Sequence, residues 1–297
     1  MSDDSIIFIN TGKCFGGNMK KYFEIAKIKY AVSGDTDKIP VGEILEGFVS
    51  APSEEDVSIE LRAKEELAHP EGDKVYGDML RVVYKSDDSY VRYEGVKGSE
   101  YEKANLRIRR CKNKVNAEIK TDSLTEKILL SALELEHNIT LNRGILLHCA
   151  FIDVNGEAVL FTAPSGTGKS TQAALWEKFG NAELINGDRA AVMVTADGVF
   201  ASGVPYCGSS GVRKNRTLKL RAVVYLSQSE ENRAQRLLGL TAFKRIWEGI
   251  TLNLWHKTDV EKATDTVLEI VEKVPVYHFH CTKDETAVKV LEKILQE

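Results

Sequence analysis

Cysteine is scarce in this chain and shows no pairing pattern. Its 297 residues include five (Cys14, Cys111, Cys149, Cys207, Cys281), an odd number with no C-x-x-C pair. That argues against a disulfide framework or a thiolate zinc site, and for reduced thiols in a cytoplasmic protein. Long apolar runs are missing as well: none approaches the roughly 18–20 residues that a membrane-spanning helix needs. The acidic opening Met1-Ser2-Asp3-Asp4-Ser5 leads into four apolar residues, so no secretory signal is expected. Nor is there an excess of positive charge. Lys and Arg number 40 against 44 Asp and Glu, a formal net charge of −4. With no long basic stripe interleaved with aromatics, a dedicated nucleic-acid binder is not expected. Two local basic clusters, Arg107-Ile108-Arg109-Arg110 and Arg213-Lys214-Asn215-Arg216, have solvated faces as their ordinary explanation. Internal repeats and low-complexity tracts are absent.

What remains is the composition of a soluble globular protein, 43% hydrophobic and 28% charged. The length suits two ordinary domains, or one large domain with an elaborated half. Short alternating or β-branched runs dominate the first third. Strands are expected at Ser5–Asn10, Tyr22–Ala31, Asp56–Ala63, Leu80–Lys85, Ser89–Tyr93, Asn105–Arg110 and Val115–Lys120. Such a region reads as an antiparallel, β-rich unit over 1–122. Near Thr121 the texture changes. Ser123 and Glu126 have capping-box spacing, and Leu129, Leu130, Leu133 and Leu135 follow at broadly helical intervals, so a helix is expected at about 123–138, leading into a second domain over 123–297.

In that second part Asn155-Gly156 separates two apolar runs, Ile145–Asp153 and Ala158–Thr162, the strongest short-range signal of a hairpin. Further strands are expected at Ala182–Ile185, Ala190–Val194, Leu220–Leu226 and Val274–His280, with helices at Ala242–Trp255 and Asp284–Gln296.

Directly after the hairpin comes Ala163-Pro164-Ser165-Gly166-Thr167-Gly168-Lys169-Ser170-Thr171. It fits the phosphate-binding (Walker A) pattern G-x-x-x-x-G-K-[ST], with Ala163 in place of the first Gly. Glycines at 166 and 168 let the backbone turn tightly, so that successive N–H groups from Ser165 to Thr171 face phosphate oxygens. Lys169 supplies charge for the β/γ-phosphates, the Ser170 hydroxyl is placed for Mg²⁺, and the helix beginning here adds its positive dipole end. ATP and Mg²⁺ are therefore the expected cofactors. The plain alternative is an adventitious glycine turn, but strand, loop and helix formers stand in the order that the motif requires.

Phosphoryl transfer also needs a carboxylate for Mg²⁺ or for the acceptor proton. Asp188, in Asn186-Gly187-Asp188-Arg189, is the first candidate downstream, at the end of an expected strand where open α/β sheets place ligands. Its alternative is an ordinary turn Asp. Arg189 is its ion-pair partner, a phosphate contact or an ordinary surface Arg. His148 lies in the apolar hairpin strand, where a lone His is more often a satisfied core residue. The segment 203–215 combines glycines with Arg213 and Lys214 and reads either as a lid supplying a cation to the transferring phosphate or as a surface loop. Cys207 within it has no neighbouring His to activate it. His278 and His280 share a strand face, but two ligands do not complete a metal site, and mixed burial explains them.

The hairpin bearing His148, the loop Ser165–Ser170 and the carboxylate at Asp188 resemble the catalytic domain of HPr kinase/phosphorylase, a fold shared with phosphoenolpyruvate carboxykinase. The resemblance spans roughly residues 140–297. It implies an α/β, phosphoenolpyruvate-carboxykinase-like P-loop domain, with a mixed sheet and flanking helices, after the β-rich N-terminal unit. It implies His148 near the acceptor hydroxyl, and Asp188 as the second of an Asp pair whose first member is replaced by Gly187. Whether Asp188 is base, Mg²⁺ ligand or both is left open. The family's Arg-Gly signature for HPr recognition and phosphorolysis is absent, Gly208-Ser209-Ser210-Gly211-Val212-Arg213 standing in that neighbourhood. The chain thus resembles divergent HPr-kinase-like kinases acting on peptides or other acceptors.

The expectation is a cytoplasmic, ATP-dependent kinase acting on a hydroxyl, with serine of a protein or peptide as acceptor. Catalysis is expected from Asp188, His148, Lys169 and Arg213, and metal binding from Ser170 and Asp188. Partners are the nucleotide and the acceptor, with no nucleic acid and no membrane, and with homo-oligomerisation open. A small-metabolite kinase or a non-catalytic ATP-sensing module are the alternatives. Identifying the species labelled from γ-labelled ATP separates them.

Overall fold

Alternating β-branched and apolar residues build the first sheet. In the computed structural model, residues 20–86, 89–96 and 100–296 are described; the strand expected at 5–10 lies outside them. Eight strands, β1 (Lys21–Ile25), β2 (Ile28–Gly34), β3 (Val57–Lys64), β4 (Asp73–Gly77), β5 (Arg81–Ser86), β6 (Ser89–Glu94), β7 (Leu106–Cys111) and β8 (Lys114–Lys120), order as β1-β2-β3-β8-β7-β6-β5-β4. The short helix α1 (Val41–Ile44) lies between β2 and β3. The expected run 22–31 is in fact a hairpin, turned at Ala26 and Lys27, both with positive φ. The sheet is also mixed rather than antiparallel, because β3 pairs in parallel with both β2 and β8. Local alternation defines which face is buried and carries no information on strand direction.

Helices α2 (Glu126–Ala132) and α3 (Leu135–Leu141) pack Leu129, Leu130, Leu133 and Leu135 on the inward face of this sheet with Ile59, Leu61, Ile108 and Val115. The single helix expected over 123–138 is broken at Glu134, which takes the left-handed conformation (φ 48°). Its side chain there accepts from Arg110 (Nη1 to Oε2, 3.0 Å). The cap is Thr125, not Ser123: its Oγ1 accepts from Ile128 N at 3.3 Å.

The second sheet holds β9 (Gly144–Val154), β10 (Glu157–Thr162), β11 (Ala182–Asn186), β12 (Arg189–Thr195), β13 (Gly198–Gly203), β14 (Thr217–Gln228), β15 (Arg233–Leu237), β16 (Ile250–Thr251) and β17 (Val276–Cys281). Asn155 and Gly156 turn the β9–β10 hairpin with positive φ (54° and 87°). β10 also pairs in parallel with β14, and β14 with β17. Strands β9, β12, β13, β14 and β10 thereby hydrogen-bond in a closed circuit.

Helices cover both faces. α4 (Lys169–Phe179) and α7 (Glu285–Gln296) bury Trp176, Val288 and Leu291 against Phe161, Val224 and Phe279. On the opposite face α5 (Gly239–Trp247) and α6 (Lys257–Lys273) bury Ile246, Val267 and Ile270 against Leu147, Leu160 and Val223. Leu160 facing one layer and Phe161 the other is the strand's period of two. The helix expected at 242–255 stops at Trp247, and the following chain forms β16 before α6. The protein is thus mixed α/β, with two mixed sheets and flanking helices. The core beneath the first sheet also takes in Leu146, Ala191, Met193 and Val204 of the second part of the chain.

Candidate functional site

The loop after β10 opens at the carboxyl ends of three parallel strands, β10, β14 and β17. This is the position where α/β sheets gather ligands. Gly166 (φ 79°) and Gly168 (φ 114°) take backbone conformations that disfavour side chains, and the space where a Cβ would sit is open at both. Ala163 buries its methyl group with Phe161 and Trp176, which accounts for an Ala where the pattern has Gly. Ser165, Gly166, Ser170 and Thr171 are exposed, whereas Lys169 is only 8% exposed. Its Nζ donates to the carbonyls of Ala163 (2.9 Å) and Pro164 (3.4 Å). Burial pulls the ammonium below its ordinary pKa, with the Asp188 carboxylate opposing the shift. The N–H groups of the first helical turn have no intrahelical partners and carry the positive end of the dipole.

Asp188 sits in the turn between β11 and β12, in register with β9. His148 Nδ1 lies 3.6 Å from its Oδ1, and Arg189 Nε lies 3.2 Å from its Oδ2. Burial, then the positive charges of Lys169 and Arg189, push the His148 pKa down against the pull of Asp188, so its ring is neutral at pH 7. His148, Lys169, Asp188 and Arg189 therefore share one electrostatic environment. Cys149 adjoins them, but burial raises its thiol far above the usual range and leaves it protonated.

Arg213 forms an isolated backbone bridge with Asn186, two residues before Asp188. It pairs with Glu126 of α2 and donates to Pro205 O at 3.2 Å. Lys214 pairs with Glu183 (2.7 Å), and Arg216 pairs with both Asp153 (2.6 Å) and Glu183. In the other basic cluster, Arg107 faces Glu118 and Arg110 faces Glu134. Among the described residues, His278 and His280 join no cluster of three metal-ligating groups; His278 Nε2 lies 2.7 Å from Ser227 Oγ.

Several residues at the site carry no motif in the sequence. The Asn186 side chain is fully buried and uses both ends. Its Oδ1 accepts from Asp188 N and Arg189 N (both 2.9 Å), while its Nδ2 donates to Val204 O (2.8 Å) and Tyr206 O (2.7 Å). The Arg189 guanidinium lies 4.6 Å from the Tyr206 ring centre, a cation–π contact. Gln228, at the end of β14, donates to the carbonyls of Gly166 (3.3 Å) and Thr167 (3.2 Å). Asn-Gly-Asp-Arg is a readable Asx-turn signal for Asn186, but Tyr206 and Gln228 arrive through tertiary pairing alone. A cavity of about 690 Å³ adjoins the site, its lining including Asp188, Arg189, Arg81, Glu94, Glu126 and Glu136.

The fold and this site describe a mixed α/β protein with a glycine loop at its sheet's carboxyl edge. The chain belongs to the family described as SynChlorMet cassette protein ScmC, whose family model matches residues 111–296. No curated protein matches it. Among solved structures it is similar to the Hpr(Ser) kinase/phosphatase from Coxiella burnetii at 12% identity, over 51% of this chain and 88% of that one, with a TM-score of 0.30. Among the described residues no helix is long and apolar enough to cross a membrane.

Proposed function

We propose that this protein is an ATP- and Mg²⁺-dependent kinase that transfers a phosphoryl group to a hydroxyl, with serine of a protein or peptide as the acceptor class. One observation carries the proposal: His148, Lys169 and Asp188, from three separate segments, converge beside a solvent-accessible glycine loop. The loop fits a polyphosphate. No side chain fills the space at Gly166 and Gly168, Lys169 Nζ donates to neutral carbonyl oxygens, and Ser170 is exposed.

When bound, ATP supplies the phosphoryl group and Mg²⁺ offsets charge on its oxygens. The amides from Ser165 to Thr171 would hold the phosphates, and Ser170 and Asp188 would hold the metal. Lys169 would neutralise charge on the transferring group. Asp188 would take the acceptor hydroxyl's proton, with neutral His148 orienting that hydroxyl. Arg189, held by Asp188 and Tyr206, would supply a second cation, and Arg213 would do so on leaving Glu126. The acceptor would enter through the 690 Å³ cavity, with the β-rich 1–122 unit recognising it and 123–297 acting as the catalytic unit.

The deciding experiment incubates the full chain with γ-labelled ATP and cell lysate and then identifies the labelled species. Label on a serine of a protein or peptide is the expected result. Tight ATP binding with no transfer to any acceptor would overturn the kinase proposal in favour of a nucleotide sensor.

A further inference from the structure

A second group of ionisable side chains shares no residue with the glycine-loop site. Asp259, in the first turn of α6, is fully buried. His137, from α3, sets its Nδ1 2.9 Å from Asp259 Oδ1 and 2.8 Å from Oδ2. His256, directly before α6, sets its Nδ1 3.0 Å from Asp259 Oδ1. That last approach is at ion-pair distance, yet the buried Nδ1 has no hydrogen-bond partner of good geometry. A ring nitrogen this close to a carboxylate oxygen is unfavourable if it presents its lone pair, and is poorly repaid if it presents a misdirected N–H. A cation between the two removes the conflict.

We propose that His137, His256 and Asp259 form a binding site for a first-row divalent transition metal. One donor atom from each of the three lies within 4.8 Å of the others, and among the described residues this is the one such group. Metal–ligand distances of about 2.0–2.2 Å are reached from there by small ring rotations. Two imidazoles and one carboxylate suit zinc, cobalt, nickel or ferrous iron rather than magnesium or calcium, which prefer oxygen donors. The surroundings supply what such a site needs around its ligands. Asn253 Nδ2 lies 3.3 Å from Asp259 Oδ2 and steadies the carboxylate, and Asn253 is itself held by Arg92 (3.4 Å). A cavity of about 340 Å³, lined by both histidines, Asn253, Tyr90 and Trp255, gives the ion an entry path and room for further ligands. The bound ion would tie α3 to the start of α6, beside β6 of the first sheet.

The test uses untagged full-length protein freed of metal by chelation. Co²⁺ is titrated while its visible ligand-field absorption is followed, and Zn²⁺ is then added as competitor. One saturable equivalent that Zn²⁺ displaces is expected, together with a rise in Tm on adding Zn²⁺. Loss of even an outer partner typically weakens metal affinity by about 10–100-fold. His256→Gln, at a half-buried position, should therefore lose at least that much while keeping the wild-type circular dichroism spectrum. Lys169→Ala should bind Co²⁺ as the wild type does, which separates this site from the phosphate loop. The proposal is overturned if the wild type gives no Co²⁺ band and no Zn²⁺-dependent Tm shift. It is overturned equally if His256→Gln and His137→Gln titrate like the wild type.

Discussion

Replacing Lys169 by Ala tests the phosphate-loop reasoning most directly, because the structure separates its effect on folding from its effect on chemistry. Within the fold, the lysine ammonium donates to two neutral carbonyls, at 2.9 and 3.4 Å. A hydrogen bond from a charged group contributes about 1.5–3 kcal/mol. The ammonium is also largely buried, and the depressed pKa reports the cost of that burial. The two effects oppose each other, so the net change in stability should stay within about 2 kcal/mol. For a domain of this size that is a Tm shift of under about 8 °C. A fold stable by about 5–15 kcal/mol remains populated after such a change. Turnover should behave otherwise. One preorganised donor to developing charge in a water-poor site is worth about 10²–10³ in rate, and here the donor is a full cation.

The assay pairs steady-state ATP turnover with thermal unfolding of the same preparation, and adds Lys169→Met, which retains most of the aliphatic stem. Both variants should remain folded and lose about two to three orders of magnitude in rate. Turnover equal to wild type in either variant would refute the assignment of Lys169 to the phosphates. So would a loss in Lys169→Ala that Lys169→Met restores, because that would trace the effect to packing.

Further expectations concern the residues that face the loop. Asp188→Asn should lose about 10²–10⁴ in single-turnover rate, the range of general-base removal, and should bind the nucleotide more weakly with Mg²⁺, as calorimetry would show, because a metal ligand is lost. The His148 pKa lies below its ordinary 6.5 because burial and nearby cations disfavour its charged form. The unfolded chain therefore binds more protons just below that value, so stability falls as pH drops through 6.5 towards the lowered pKa. Denaturant melts across that window should show His148→Gln with a flatter pH dependence than wild type. Gly187→Ala would drive its Cβ into Ser210 Oγ and to 2.6 Å from Ser210 Cβ, at a cost of about 1–3 kcal/mol as overpacking. Adding Ser210→Gly removes both atoms and should restore most of the loss in melts; a double variant no more stable than Gly187→Ala would contradict the contact.

The legible parts of this fold are those fixed by local chemistry. Asn155-Gly156 marked the β9–β10 hairpin, and glycines at 166 and 168 marked a turn that takes positive φ at both. The alternation in Val57, Ile59 and Leu61 marked an inward strand face. Strand direction was not legible, because β2 and β3 have the same inward pattern whether they pair parallel or antiparallel. β15 (Arg-Ala-Gln-Arg-Leu) escaped notice, since it is a largely exposed edge strand held by pairing with β17. The break between α2 and α3 was hidden because Glu134 is a good helix former. It leaves the helical conformation to meet Arg110, a residue brought there by β7. At the site, Asp188 and Lys169 stood out by motif and spacing. Arg213 stood out as a cation in a Gly-rich segment, while its pairing with Glu126 is set by tertiary packing.

Gly187 and Asn186 together account for the form of the turn that carries Asp188. The Ser210 side chain packs so closely on Gly187 that a Cβ added there would meet its Oγ and Cβ, so a second carboxylate would have to displace Ser210. Asn186 then ties the two segments. With both oxygen lone pairs occupied by Asp188 N and Arg189 N, and both amide protons given to Val204 and Tyr206, it cannot turn without leaving buried groups unpaired. The ring of Tyr206 faces Arg189, whose Nε faces Asp188. The direction of the one carboxylate is therefore coupled to the 204–210 segment through a chain of satisfied contacts. A ligand that displaced that segment would reorient Asp188, because the amide that holds the segment also holds the backbone of the carboxylate.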